Sequence, residues 1–180
     1  MLLDKLDQNI SARLSPGEPD ARPGRIPLLD ITQFTHRIWA TRKRPWVDRL
    51  ASAWLIHRFI DPNATFIWLE SPALCPADAL GFDFDGAAFT HVETATGTLV
   101  TFETLAASFC LEKDLSIKQL ANIVHVLDAG GLPVAEAAGL ERLLQGMYNR
   151  ISDDDALLAA AETLFNDLYS SYQQETQPHE

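Results

Sequence analysis

The sequence predicts an α+β fold, a mostly helical single domain with a small antiparallel sheet. Three observations carry that prediction. Apolar residues recur at i, i+3 and i+4 through Val47, Leu50, Ala51, Trp54, Leu55 and Phe59 and again after residue 104, the stripe of helices that pack on a core. Short β-branched and aromatic runs bounded by turn residues cluster between residues 64 and 103, as strands do. A chain of 180 residues with 47% hydrophobic content is enough for one core.

Residues 1–28 hold Pro16, Pro19, Pro23, Pro27, Gly17 and Gly24. They read as an extended arm or poorly ordered leader, with an amphipathic helix over 1–14 left open by Leu2, Leu3, Leu6, Ile10 and Leu14. Residues 1–38 are thus expected to be a partly flexible extension and 39–175 the domain. From Ile31 to Trp39 the chain is apolar enough for a strand or short helix. A polar connector follows, in which Pro45 biases Arg44 toward extended geometry. Trp46 to Phe59 reads as a strong helix ending near Asp61-Pro62. Residues 64–70 form a strand, and 71–86 a loop or short helix containing the acidic run Gly81-Phe82-Asp83-Phe84-Asp85-Gly86. Segments 87–93 and 98–103 pair as a hairpin with Gly97 near the turn. Helices are expected over Thr104–Cys110, Ser116–Asp128, Val134–Arg150 and Asp153–Tyr172. Ser152 is the expected N-cap of the last, with Asp153, Asp154 and Asp155 in its first turn, where carboxylates suit the helix dipole.

Charge is unevenly spread. Residues 1–58 carry 10 of the 14 Lys and Arg against 6 of the 25 Asp and Glu, an excess of +4, whereas residues 59–180 sum to −15. Such a surface disfavours nucleic acid, which needs a broad basic face. A small oxyanion would still meet the cluster Arg42, Lys43, Arg44, Arg49 and Arg58, unless these simply form a solvated face. No apolar run reaches the roughly 20 residues of a membrane span, and the two cysteines do not make a disulfide scaffold. A soluble, reduced, cytoplasmic protein is expected. P-loop, Gly-x-Gly-x-x-Gly, Gly-x-Ser-x-Gly, His-Glu-x-x-His and paired Cys-x-x-Cys motifs are all missing, so no nucleotide cofactor is expected.

One stretch is more specific. It runs through Trp39, Thr41-Arg42-Lys43-Arg44-Pro45, Asp48-Arg49 and Trp54-Leu55-Ile56-His57-Arg58-Phe59-Ile60-Asp61. It resembles the opening of the chromate-resistance domain at the C-terminal end of ChrB-type proteins, also found in related stand-alone proteins. Phe82-Asp83, His91, Thr101-Phe102-Glu103 and Ile123-Val124-His125-Val126-Leu127-Asp128 follow in the same order, so the likeness spans about 39–172. Many relatives place Cys, or another small residue with Pro, before the Trp, whereas this chain has Ala51-Ser52-Ala53-Trp54. No thiol function is expected there. The first 38 residues lie outside the likeness, which argues against a transcription factor carrying the ChrB N-terminal regulatory domain.

On helical spacing alone Asp48, Ser52, Arg49 and His57 form a polar face that is either solvated or half-buried at the helix start. The resemblance favours Asp48, Arg49 and Arg58 as site residues. His91 and Glu103 should face one another across the hairpin, and His125 and Asp128 stand at i, i+3 on a helix. Two imidazoles and two carboxylates suit a divalent transition metal such as Zn, Mn, Fe or Ni, if the pairs meet; otherwise they are separate structural pairs. Asp83 and Asp85 are further oxygen donors without EF-hand spacing. What the resemblance implies is a part in metal or oxyanion stress as a sensor or accessory protein; the residue types and their spacing put metal on His91, Glu103, His125 and Asp128 and oxyanion on Arg42, Arg44, Arg49 or Arg58. A metal-dependent enzyme with Asp48 or Glu103 as general base, and a non-catalytic interaction module, are the alternatives. Homo-oligomerisation stays open.

Overall fold

In the computed structural model, residues 17–175 are described; the helix weighed over 1–14 lies outside them. The chain runs through β1 (Arg22–Pro23), β2 (Ile38–Arg42), α1 (Val47–Leu55), β3 (Thr65–Leu69) and β4 (Leu80–Gly81). It continues through β5 (Val92–Thr94), β6 (Gly97–Leu99), α2 (Thr101–Ser108), α3 (Leu115–Ala129), α4 (Ala137–Arg150) and α5 (Asp154–Glu175). The result is the predicted helical α+β fold. No helix among the described residues is long and apolar enough to cross a membrane.

Two small sheets flank the helices. The expected hairpin is present as β5–β6, with Thr94 opposite Gly97, and β1 adds in parallel beside β5. The second sheet was not foreseen: β2 lies between β3 and β4 and runs parallel to both. Its middle strand has Trp39, Ala40 and Thr41 buried, so it offers no alternation for a sequence reading to find.

Helix α1 is the centre of the molecule. It packs on α2, α3 and α5, and all nine of its residues are buried. Trp54 stacks on Phe102 with ring centroids 6.4 Å apart and also meets Phe59, Phe165 and Tyr169. Its indole N–H donates to Asn166 Oδ1 at 2.8 Å. The helix does not end at Leu55 but loosens into a π-turn over Ile56–Ile60. Asp61 then stops it: its carboxylate accepts the backbone N–H groups of His36, Arg37 and Asn63 and the indole N–H of Trp39. One buried carboxylate thereby ties the end of α1 to the start of β2.

Four local expectations are corrected. Residues 101–103 open a helix rather than continue the second hairpin strand, and that helix ends before Cys110. Val134–Glu136 precede α4 instead of starting it. The cap of α5 is Asp153, whose Oδ1 accepts the Ala156 N–H at 2.8 Å, not Ser152. Arg44 is left-handed, with φ 50°, rather than extended. That strain is held by a clamp: its N–H donates to Asp154 Oδ2, and its guanidinium donates to the carbonyls of Tyr148, Ile151 and Ser152.

Candidate metal centre

Five segments bring charged side chains to one point beside the N-terminus of α2. Asp48 comes from the first turn of α1, Asp128 from the last turn of α3, and His91 from the residue before β5. Asp83 sits in the loop after β4, itself left-handed at φ 58°. Its backbone is fixed from both sides, because Phe82 N–H donates to Ala40 O and Asp83 N–H to Phe89 O. Gly81 lets that loop close: a Cβ there would stand 2.5 Å from the Phe84 ring. Glu18 arrives from the segment before β1, where Asp20 N–H donates to Asp85 Oδ1 at 3.0 Å.

The imidazole of His91 is the hub. Its Nε2 lies 3.3 Å from Asp48 Oδ2, 3.3 Å from Asp128 Oδ2 and 3.5 Å from Asp83 Oδ1. Asp48 also accepts two backbone N–H groups at 2.8 Å, Thr101 on Oδ2 and Phe102 on Oδ1, and so caps α2 from a distant part of the chain. Asp83 Oδ1 accepts the Thr101 hydroxyl at 2.8 Å, and its Oδ2 lies 3.3 Å from Arg49 Nε. Arg49 and Arg42 also approach Glu18, at 4.0 and 3.8 Å.

Crowded burial sets the protonation. Burial and the neighbouring Asp83 and Asp128 push Glu18 up to about 9, against the pull of Arg49. Burial, reinforced by Asp83, pushes Asp48 up to about 7 despite the hydrogen bond from His91. Asp128 is raised as well, again by burial first. Asp83 goes the other way, because His91 and Arg49 outweigh its burial. His91 is pushed up to about 12: burial opposes its charge, but the surrounding carboxylates prevail. The site is a pocket of excess negative charge in which added protons compensate.

Residues 39–172 match the family model described as ChrB, C-terminal domain. The chain belongs to this family. Protein ChrB of Cupriavidus metallidurans is 53% identical over 163 residues, which cover 91% of this chain and 49% of that protein. The chain therefore spans about half the length of that relative. With 163 of 180 residues inside the match, the likeness also extends into the segment before Trp39. No solved structure matches.

Within this ChrB-type domain the residues predicted from sequence divide between sites. His91 and Asp128 meet, and Asp48 and Asp83 join them. Glu103 and His125 form their own pair, Glu103 Oε2 to His125 Nδ1 at 2.7 Å. Among the described residues neither shares a group of three ligand atoms within 4.8 Å with His91. Glu103 also accepts the Val100 N–H at the start of its helix. Of the four arginines, Arg42 and Arg49 line the carboxylate cluster. Arg44 clamps the α4–α5 connection, and Arg58 donates to Asn166 and lies over the Tyr169 ring. Asp85 anchors Asp20 outside the cluster. Arg49 and Asp48 are 3% and 2% exposed and Ser52 is buried with them, so the polar face is buried along α1, while His57 beyond its end is exposed beside Glu162. Glu18 was missed. It lies in a Pro- and Gly-rich stretch whose composition signals only an extended arm.

Proposed function

We propose that this ChrB-type domain binds one divalent transition-metal ion at the His91 carboxylate cluster and serves metal or oxyanion stress as a sensing or accessory domain. The observation that carries the reading is the convergence of Asp48, Asp83, Asp128 and Glu18 on one imidazole. Metal binding would displace the protons held by His91 and Glu18; four ionised carboxylates against the guanidiniums of Arg42 and Arg49 then leave a formal charge of −2, which one divalent cation cancels. One nitrogen and several carboxylate oxygens suit Mn, Fe, Zn or Ni. The same charge favours a cation over an oxyanion here, since the two arginines of this pocket already face Asp83 and Glu18. The buried Asp48 and Asp83, in contact with His91, would orient it and balance the ion's charge.

A thermal-shift comparison tests this. Mn(II), Zn(II) or Ni(II) at about a hundredfold excess over its dissociation constant should raise the melting temperature by about 5–10 °C. His91→Gln should abolish the shift, while chromate, sulfate and phosphate should produce none. Stabilisation by an oxyanion, lost on Arg49→Ala, would overturn the cation reading.

A further inference from the structure

The carboxylates around His91 are not equivalent. Asp48 is engaged by two backbone N–H groups and the Ser52 hydroxyl. Asp83 is engaged by the Thr101 hydroxyl and faces Arg49. Both are occupied in holding α2 against α1. Both Glu18 oxygens and Asp128 Oδ2 are shielded from solvent yet accept no hydrogen bond of proper geometry among the described residues; Asp83 Oδ2 shares that state but lies 3.3 Å from Arg49 Nε, closer than the 3.8 and 4.0 Å between Glu18 and the guanidiniums of Arg42 and Arg49. The Asp128 side chain is only 4% exposed, and its Oδ2 points at His91 Nε2. Buried acceptors without hydrogen-bond donors are costly; the cationic groups nearest to these oxygens stand at 3.3 to 4.0 Å, and a metal ion would coordinate them at shorter range. Ligand atoms of Glu18, His91 and Asp128 lie within 4.8 Å of one another.

Glu18 stands on a strap. Residues 17–23 cross the domain surface and are fastened by Asp20 to Asp85, by Arg22 N–H to His91 O, and by the Arg22 guanidinium to Ala88 O. Arg42 Nη1 also donates to Gly17 O at 2.6 Å and Pro19 is buried, whereas the two residues of β1 are both exposed; a segment held by so few contacts opens at lower cost than the core. It is anchored on the backbone of His91, the residue whose imidazole forms the hub. Glu18 also lies before residues 39–172, the range of the family model.

Resting on the reading of this cluster as a divalent-cation site, we propose that the ion is held by Glu18, His91 and Asp128, and that the strap 17–23 is the site's lid, fastened by the ion through Glu18. Asp48 and Asp83 are then positioning residues that aim His91 and balance charge. The strap makes occupancy of the site readable at the protein surface.

The test uses the full chain with Co(II) as probe, followed by its visible absorption and by calorimetry, alongside trypsin cleavage after the exposed Arg25. In the wild type, Co(II) should slow that cleavage by about tenfold, as fastening of a local opening predicts. Glu18→Gln keeps the side-chain shape and should weaken Co(II) binding by about tenfold or more and abolish the protection. Glu18→Asp, which keeps the charge but shortens the reach, is the second variant and should show the same losses in weaker form. Wild-type-like Co(II) affinity and protection in both variants, with binding still lost in His91→Gln, would overturn the lid and leave the cation site standing. No Co(II) binding by the folded wild type would remove both.

Discussion

At the scale of single residues, three buried or half-buried carboxylates show how alike side chains take unlike roles. Asp61 gathers four N–H donors, which outweigh its burial and hold it below the ordinary carboxylate range. Asp48 is pushed the opposite way by burial among other acids. Glu103 pairs with His125, and that hydrogen bond, the largest influence, raises the histidine against its partial burial. The raised value fixes the sign of its pH dependence. The His125–Glu103 pair contributes its full stability below the ordinary histidine value of 6.5 and loses it as pH climbs through the higher folded value. In metal-free protein, a histidine NMR titration should give His125 a midpoint above 6.5, and His125→Gln should flatten the fall in melting temperature above it. A midpoint at or below the ordinary value would contradict the pairing. The sequence placed these residues on elements that could host a site. It could not show that Asp61 reaches back to Arg37, or that Glu103 turns to His125 rather than to His91, because such choices depend on side-chain reach across the fold.

At the scale of elements, α1 was legible and its surroundings were not. Apolar spacing from Val47 to Phe59 is strong enough to define a helix. Its polar residues looked like a wet face because periodicity cannot tell water from a buried ionic cluster. The start of α2 was hidden for a related reason. Asp48 caps it from 53 positions away, whereas a local sequence reading expects its cap nearby. Arg44 shows a tertiary contact overriding a local bias. Pro45 favours extended backbone at that position, yet three carbonyls and Asp154 hold Arg44 left-handed. Only a planar guanidinium spans these acceptors. Arg44→Lys should therefore destabilise the fold by about 1–3 kcal/mol in urea unfolding; a change within about 0.5 kcal/mol would show that the clamp adds little.

At the scale of the whole molecule, one helix with no solvated face organises both the core and the site. Its apolar side stacks Trp54 against the aromatic rings of α2 and α5. Its polar side delivers Asp48 and Arg49 to the place where α3, the β4 loop and the N-terminal strap converge. The uneven charge visible in the sequence acquires a location here: basic residues before position 58 meet acids from both halves of the chain, and the negative excess is balanced by protons on Glu18 and His91. Whether that excess holds a metal ion is settled most directly by calorimetric titration of the metal-free protein with Zn(II) or Mn(II). The account predicts saturation at about one ion per chain and no binding to a folded His91→Gln variant. Titrations showing no binding to the wild type, or equal binding to His91→Gln, would contradict it.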